Sequence, residues 1–195
     1  MTDADLVARA REGDVSAFGE LVERHRAAVF RATLAALGSH ADADDAAQDA
    51  FVLAYKRLDG FRGDASFKTW LLAIAWRQAI SRRRSMIRWW RRLANSPAHD
   101  GEPDGGNDGL GEIAGTVPSP EEQAAAGQLR AAIVAAVRGL SPKLRDPLLL
   151  AQAGEYSYEE IAAMLGIPVG TLKWRVSEAR RKVRQGLDER GFGRG

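Results

Sequence analysis

One stretch limits what the chain can fold into. Residues 95–118, NSPAHDGEPDGGNDGLGEIAGTVP, are rich in Gly, Pro and Asp and nearly devoid of large apolar side chains. Such a segment cannot bury enough surface to offset the entropy of ordering it, so it reads as a flexible linker. Any hydrophobic core must therefore be built separately on either side. The 195 residues divide into a domain at 1–93, an acidic linker at 94–118 and a second domain at 119–195, sizes that suit two small domains.

Both sides read as helices, and no stretch alternates with the period of a strand. AFGELVERHRAAVFRATLAAL places Phe18, Leu21, Val22, His25, Val29, Phe30, Thr33, Leu34 and Leu37 near one face, and Gly38 ends it. Asp42 to Leu58 predicts a helix with Ala46, Ala47, Ala50, Phe51, Ala54 and Leu58 inward. Glycines make Gly60 to Asp64 a loop, and Ser66 can cap a helix that runs through FKTWLLAIAWRQAISRRR toward MIRWWRRL. After the linker, Ser119-Pro120-Glu121-Glu122 starts a helix with N-cap Ser, Pro at the first position and Glu at the third. Leu129, Ile133, Ala136, Val137 and Leu140 form its apolar stripe. Ser141-Pro142 starts the next helix by the same logic, with Pro147 placed to kink it. Ser157-Tyr158-Glu159-Glu160 is another capping box. The fold class is all-α, in two small helical domains.

Net charge is only +2, but the charge is blocked. Arg77, Arg82, Arg83, Arg84, Arg88, Arg91 and Arg92 fall in one run without an acid, and Leu93 to Glu122 holds seven acids and no Lys or Arg. Thr171 to Gly195 holds eight bases against three acids. Two basic patches joined by an acidic connector suggest two contacts with a polyanion. There is no cysteine, which excludes disulfides and thiolate metal sites and fits a reducing cytosol. The N-terminus lacks the apolar core of a signal peptide, and no apolar run approaches the roughly 20 residues that span a bilayer. A cytoplasmic protein without membrane insertion is expected.

The last basic patch has a shape. Ser157 to Leu165 predicts a helix with Ile161, Ala162 and Leu165 inward. Gly166 can end it, Ile167 plugs the turn, and Pro168 pre-sets a second helix. Val169, Leu172 and Val176 then face a core, while Lys173, Trp174, Ser177 and Glu178 face outward, with Arg180 to Arg184 behind. That is the layout of a helix-turn-helix, whose second helix lies in the major groove with basic residues on nearby phosphates. The plainer alternative is a solvated basic helix.

SYEEIAAMLGIPVGTLKWRVSEARRKVR, preceded by LSPKLRDPLLLAQAGEYSYEEIA, resembles the C-terminal promoter-reading domain of an extracytoplasmic-function (ECF) RNA polymerase sigma factor. ADADDAAQDAFVLAYKRLDGFRGDASFKTWLLAIAWRQAISRRR independently resembles the region of the same family that binds core polymerase and the −10 element. The resemblance covers nearly the whole chain apart from the linker. It implies that Asp45, Gln48 and Asp49 dock on the polymerase clamp helices, with Phe51 and Tyr55 on the core side of the same helix. Physically, Asp42, Asp45 and Asp49 share a face that suits an Arg-rich partner. They also read as a solvated acidic helix start, favoured by the helix dipole, and more weakly as a divalent-metal site that nothing else completes.

By the same resemblance, the loop FRGDAS takes a flipped −10 base, with Phe61 and Arg77 at pocket positions, and Arg82, Arg83, Arg84 and Arg88 hold the DNA backbone. Phe61 as a buried loop anchor is the alternative. Many relatives carry Asn where Arg77 stands, which bears on base preference. Trp70 reads as core more than as a base-stacking side chain, and Trp76 stays open between the two; Trp89 and Trp90, set between arginines, stay open among stacking on DNA, packing on the domain and meeting an inhibitor. In the promoter-reading domain, Thr171, Lys173, Trp174 and Glu178 fall where relatives contact −35 bases, with Arg175 and Arg180 near phosphates. Relatives often have a small residue at the Trp174 position and Arg at the Glu178 position. Glu178 reads either as an acceptor from a cytosine amine or as a partner of Lys182.

The resemblance implies a dissociable sigma subunit with three partners: core RNA polymerase, promoter DNA and an anti-sigma factor. It implies a linker threading the polymerase, no cofactor or metal, no small-molecule substrate and no long C-terminal extension. A stand-alone helix-turn-helix regulator with an N-terminal sensor or dimerisation module is the second reading; the acidic helix and the FRGD loop argue against it. An enzyme is the third. His25, His40 and His99 are scattered, and no phosphate loop or nucleophile–base pair is visible.

Overall fold

The structure, a computed structural model, describes residues 1–94, 120–153 and 156–192; the side chains of residues 89–94 and 120–122 fall outside that description. The described residues are helical, without a strand. The linker, the Ser119 cap, the Glu122 side chain and the side chains of Trp89 and Trp90 lie outside them.

The chain divides into two compact units. The first comprises α1 (Asp3–Arg11), α2 (Val15–Leu37), α3 (His40–Lys56), a 3₁₀ turn (Leu58–Gly60) and α4 (Phe67–Ala94). Caps written in the sequence set these bounds. Asp14 accepts from the Ala17 N–H at 3.1 Å to open α2, and Gly38 closes it at φ 74°, in the left-handed region. Ser39 caps α3, so that helix begins at His40, ahead of the expected Asp42. It also ends at Lys56, with Leu58 buried in the separate 3₁₀ turn.

α2, α3 and α4 pack on one another and α1 packs on α2. The core was only partly foreseen from large side chains. Leu21, Val29, Leu71 and Leu72 are fully buried, each stabilising by about 1.5–3 kcal/mol relative to exposure. Between them, Ala32, Ala43, Ala50, Ala54, Ala75 and Ala79 are just as buried, and their small side chains let the helices approach closely. Thr33 is buried too, its Oγ1 lying 2.9 Å from the carbonyl oxygens of Phe30 on its own helix and Ala43 on α3. A buried hydroxyl without such acceptors would cost about 1–3 kcal/mol.

The second unit is built on α5 (Pro120–Gly139), α6 (Pro142–Gln152) and α8 (Val169–Asp188), with α7 (Tyr158–Leu165) leading into α8. Its core joins Leu140, Leu144, Leu148 and Ala179, flanked by Val137 and Val183. Two expectations fail here. Leu129 and Ile133 of the α5 stripe are each 40% exposed; α5 turns Ala132 inward instead, and Leu140, just past its end, is buried. Ser141 precedes α6 as expected, but its hydroxyl makes no capping hydrogen bond; Pro142 and the Ser141 carbonyl alone begin the helix. Pro147 lies buried inside α6, which continues past it to Gln152.

Candidate functional site

Ala43, Ala46, Ala47, Ala50 and Ala54 of α3 turn inward, which leaves Asp44, Asp45 and Asp49 exposed and Asp42 half-buried at its edge. α4 runs alongside and lays Arg82 across that acidic edge. Its Nη2 is 2.8 Å from Asp45 Oδ2 and 3.3 Å from Asp42 Oδ1, and its Nη1 is 3.9 Å from Asp49 Oδ2. The hydrogen bond to Asp45 leads the effects that hold the guanidinium pKa above its ordinary value, against the opposing effect of burial. An arginine expected on the DNA backbone and carboxylates expected on the polymerase thus meet inside one domain. The row weighed as a metal site is engaged by this internal cation. Gln48 is exposed and donates to Asp44 Oδ2 at 3.1 Å. Phe51 is buried as expected. Tyr55 is not: it is 42% exposed, with its ring edge-on to Phe18 at 4.9 Å, because the helix turns that position toward its outer edge.

The loop between the 3₁₀ turn and α4 is pinned by aromatic contacts. The Phe61 ring lies 5.2 Å from Trp70 and, edge-on, 5.8 Å from Phe67. Phe61 and Trp70 stay half-buried; Trp76, which the sequence left open, is buried in the core. Gly63 turns the loop at φ 82°. Ser66 Oγ then accepts from the Thr69 N–H at 3.1 Å to start α4. Arg62 and Asp64 project between these anchors, both exposed.

The arginine run of α4 splits by helical phase. Trp70, Arg77, Arg84 and Arg88 recur at seven- and four-residue spacing and share a face, and the three arginines are exposed. Arg82 turns to α3. Arg83 turns to the end of α2, where its Nη1 donates to the Ala36 carbonyl at 3.0 Å and satisfies a terminal helix acceptor. Ser81 and Ser85, together with Gln78, line a shallow cleft beside Asp49 and Arg82. None of these three carries a motif in the sequence, although Ser81 stands one helical turn from both Arg77 and Ser85.

In the second unit, Ser157 and Glu160 complete the capping box: the Glu160 N–H donates to Ser157 Oγ at 3.1 Å, and the Ser157 N–H to Glu160 Oε2 at 2.8 Å. Gly166 takes φ 66°, and the Ile167 N–H donates to the Ala162 carbonyl at 3.0 Å to close the turn. Leu172, Val176 and Ala179 are buried, which fixes the phase of α8. Lys173, Ser177 and Arg180 are therefore exposed, Trp174 is 64% exposed, and Thr171 and Arg175 are half-buried.

Lys173, Ser177, Arg180, Arg181 and Arg184 line a shallow groove together with Tyr158 of α7, a residue the sequence reading named only within the capping box. Glu178 is held by Arg181 rather than Lys182: Nε and Nη2 donate to its two oxygens at 2.8 and 2.7 Å. This fork is the main reason its carboxyl sits below the ordinary carboxylate range, and Lys182 adds only a lesser charge effect.

Residues 21–96 match the family model of sigma-70 region 2, and residues 130–183 match that of sigma-70 region 4. Both are regions of sigma-70-type factors, so the class is a sigma factor of transcription initiation. The chain is 35% identical over 183 residues to the ECF RNA polymerase sigma-E factor of Escherichia coli (strain K12), covering 94% of this chain and 93% of that one. It is 33% identical over 187 residues to the RNA polymerase sigma-H factor of Pseudomonas aeruginosa, covering 95% and 93%.

Among solved structures, CnrH in complex with the cytosolic domain of CnrY is similar at TM-score 0.61 and 28% identity, over 96% of this chain and 97% of that one. The sigma factor RpoE in complex with the anti-sigma factor NepR from Bartonella quintana shares the fold at TM-score 0.57 and 23% identity, over 88% and 96%. The chain belongs to the ECF family of RNA polymerase sigma factors. Sigma factors bind core RNA polymerase and promoter DNA and direct where transcription starts. No helix among the described residues is long and apolar enough to cross a membrane.

Proposed function

We propose that the functions of this sigma factor divide among three surfaces. The exposed edge of α3, with Asp45, Gln48 and Asp49, docks on core polymerase. Loop 61–66 takes an unpaired −10 base, and the α4 face with Arg77, Arg84 and Arg88 follows the backbone of that strand. Arg82 and Arg83 support this from behind, through α3 and α2. The front of α8, with Thr171, Lys173, Trp174 and Glu178, reads the −35 element in the major groove, while Arg175 and Arg180 lie near phosphates.

The observation that carries this reading is the single face of α4. Trp70 holds the Phe61 loop at its start, and Arg77, Arg84 and Arg88 follow along it. A base site thereby continues into a cationic track without a break. The factor acts in the cytoplasm. An anti-sigma protein holds it when free; CnrH, similar over 96% of this chain, is likewise bound by a protein partner, the cytosolic domain of CnrY. Leu129, Ile133 and Val134, exposed on α5, are apolar surface that such a partner would cover.

The test is titration of the purified protein against core RNA polymerase without DNA, beside an Asp45→Arg/Asp49→Arg variant. Tight stoichiometric binding, lost in a variant with unchanged helicity and melting temperature, is expected. Binding retained by the variant would remove α3 from the interface.

A further inference from the structure

We infer that Arg11, on the first helix, is a positioning residue for the −10 loop. The inference rests on the reading of loop 61–66 as the site of an unpaired base. Arg11 is the last residue of α1 and stands 47 residues before Leu58 in the chain. Its Nε and Nη2 donate to the Leu58 carbonyl at 3.1 and 3.0 Å, and Nη2 also donates to the Phe61 carbonyl.

Phe61 is therefore held at two points by two elements. Trp70 and Phe67 of α4 hold its ring, and Arg11 of α1 holds its backbone. The loop offers little else. Its internal backbone bonds are the Gly60 N–H to the Arg57 carbonyl at 2.9 Å and the Phe61 N–H to the Leu58 carbonyl at 3.1 Å. Past Phe61, Arg62 to Asp64 are exposed.

α1 is a firm platform for this contact. Leu6, Val7 and Ala10 are buried. At the other end of the helix, Asp3 meets His25 Nε2 at 2.7 Å and Arg24 Nη1 at 2.8 Å on α2. The geometry thus carries the position of α1 into the turn from which the base-binding loop departs. The partners of Arg11 are neutral carbonyls, so its charge remains beside the loop, where an incoming phosphate would feel it. Two carbonyls bridged by one planar fork fix an angle that a single ammonium cannot.

The experiment uses full-length protein assembled with core polymerase and a single-stranded oligonucleotide pool randomised across the −10 span. Affinity and the selected base profile are read for the wild type, Arg11→Met and Arg11→Lys. Arg11→Met is expected to bind the selected strand about tenfold more weakly and with a flatter base profile, while core binding and melting temperature hold. Arg11→Lys is expected to regain part of the affinity, through charge, without regaining the sharp profile.

A wild-type affinity and profile in both variants would overturn the role of Arg11 while leaving the loop reading intact. Parallel loss of core binding, strand binding and melting temperature in both variants would reduce Arg11 to a general fold contact and equally overturn it. A wild-type protein that selects no base would sink the loop reading and this inference together.

Discussion

Arg82 on α4 reaches Asp45 on α3 at 2.8 Å, so a cation of the arginine run is engaged by the acidic row proposed to dock on core polymerase. The pair is partly solvated, with side chains 33% and 60% exposed. An exposed pair of this kind contributes about 0–1 kcal/mol to stability. Its larger effect is on what α3 presents: in the free protein the carboxylates are partly neutralised from within.

Arg82→Ala is expected to leave the melting temperature nearly unchanged and to strengthen binding to core polymerase at low salt by up to about fivefold, since the variant no longer competes for Asp45. Titration at two salt concentrations checks this, because screening shrinks the gain. Weaker core binding instead would mean that Arg82 orients the carboxylates for their partner.

Gly166→Ala isolates a backbone requirement. No atom lies within 4 Å of a Cβ added there, so the cost comes from φ 66° alone. A non-glycine residue in that region costs about 1–2 kcal/mol. Urea denaturation followed by helicity should show this loss, and −35 duplex affinity should fall as α8 loses its fixed departure angle. Unchanged stability would show that the turn re-forms in another conformation.

Glu178 gives a test with a pH sign. Arg181 holds its carboxyl below the ordinary value of 4.5, so the folded state favours the ionised form. The contribution of the pair is complete above that ordinary value and is lost as pH falls through the lowered one. DNA affinity should therefore show no titration from Glu178 between pH 8 and roughly pH 5.5. At neutral pH, Glu178→Gln releases Arg181 toward phosphate, and log K against log salt should steepen by about 1. A selective loss at one C·G position would instead mark Glu178 as a base reader.

Lys173 and Trp174 are exposed at the front of α8. Lys173→Ala and Trp174→Ala should keep the wild-type melting temperature and core binding while −35-dependent transcription falls. For a bidentate or stacked base contact the expected loss is about 1–3 kcal/mol. Loss of core binding in parallel would point to misfolding.

Arg77→Asn replaces an exposed cation on the α4 face with a neutral amide, and a shifted base preference across a randomised −10 library is expected. An unchanged profile would take Arg77 out of the base pocket.

Much of the fold was legible from short-range chemistry. Gly38, Ser66, the Ser157–Glu160 box and Gly166 act within a turn of themselves, so their effect can be read from neighbouring residues alone. The α5 stripe was misread for the opposite reason. Leu129 and Ile133 have the right spacing for a core, but spacing does not say which face of a helix its neighbours cover, and here Ala132 is the buried one. Ser141 has the identity and place of a cap and still makes no capping hydrogen bond.

The sequence by itself determined that the chain is helical, where several helices start or stop, and that a recognition-type helix follows a left-handed glycine turn, because caps and periodicity are local. Two charged regions in the right order also made the family legible. Only the tertiary structure decided what each arginine does. Arg82, Arg83 and Arg84 are consecutive, identical in type and about 100° apart around one helix. One meets Asp45, one meets the Ala36 carbonyl, and one faces solvent. Arg11 likewise finds the Leu58 carbonyl across 47 residues of chain. Long-range partners depend on where other helices pack, and no local spacing encodes that.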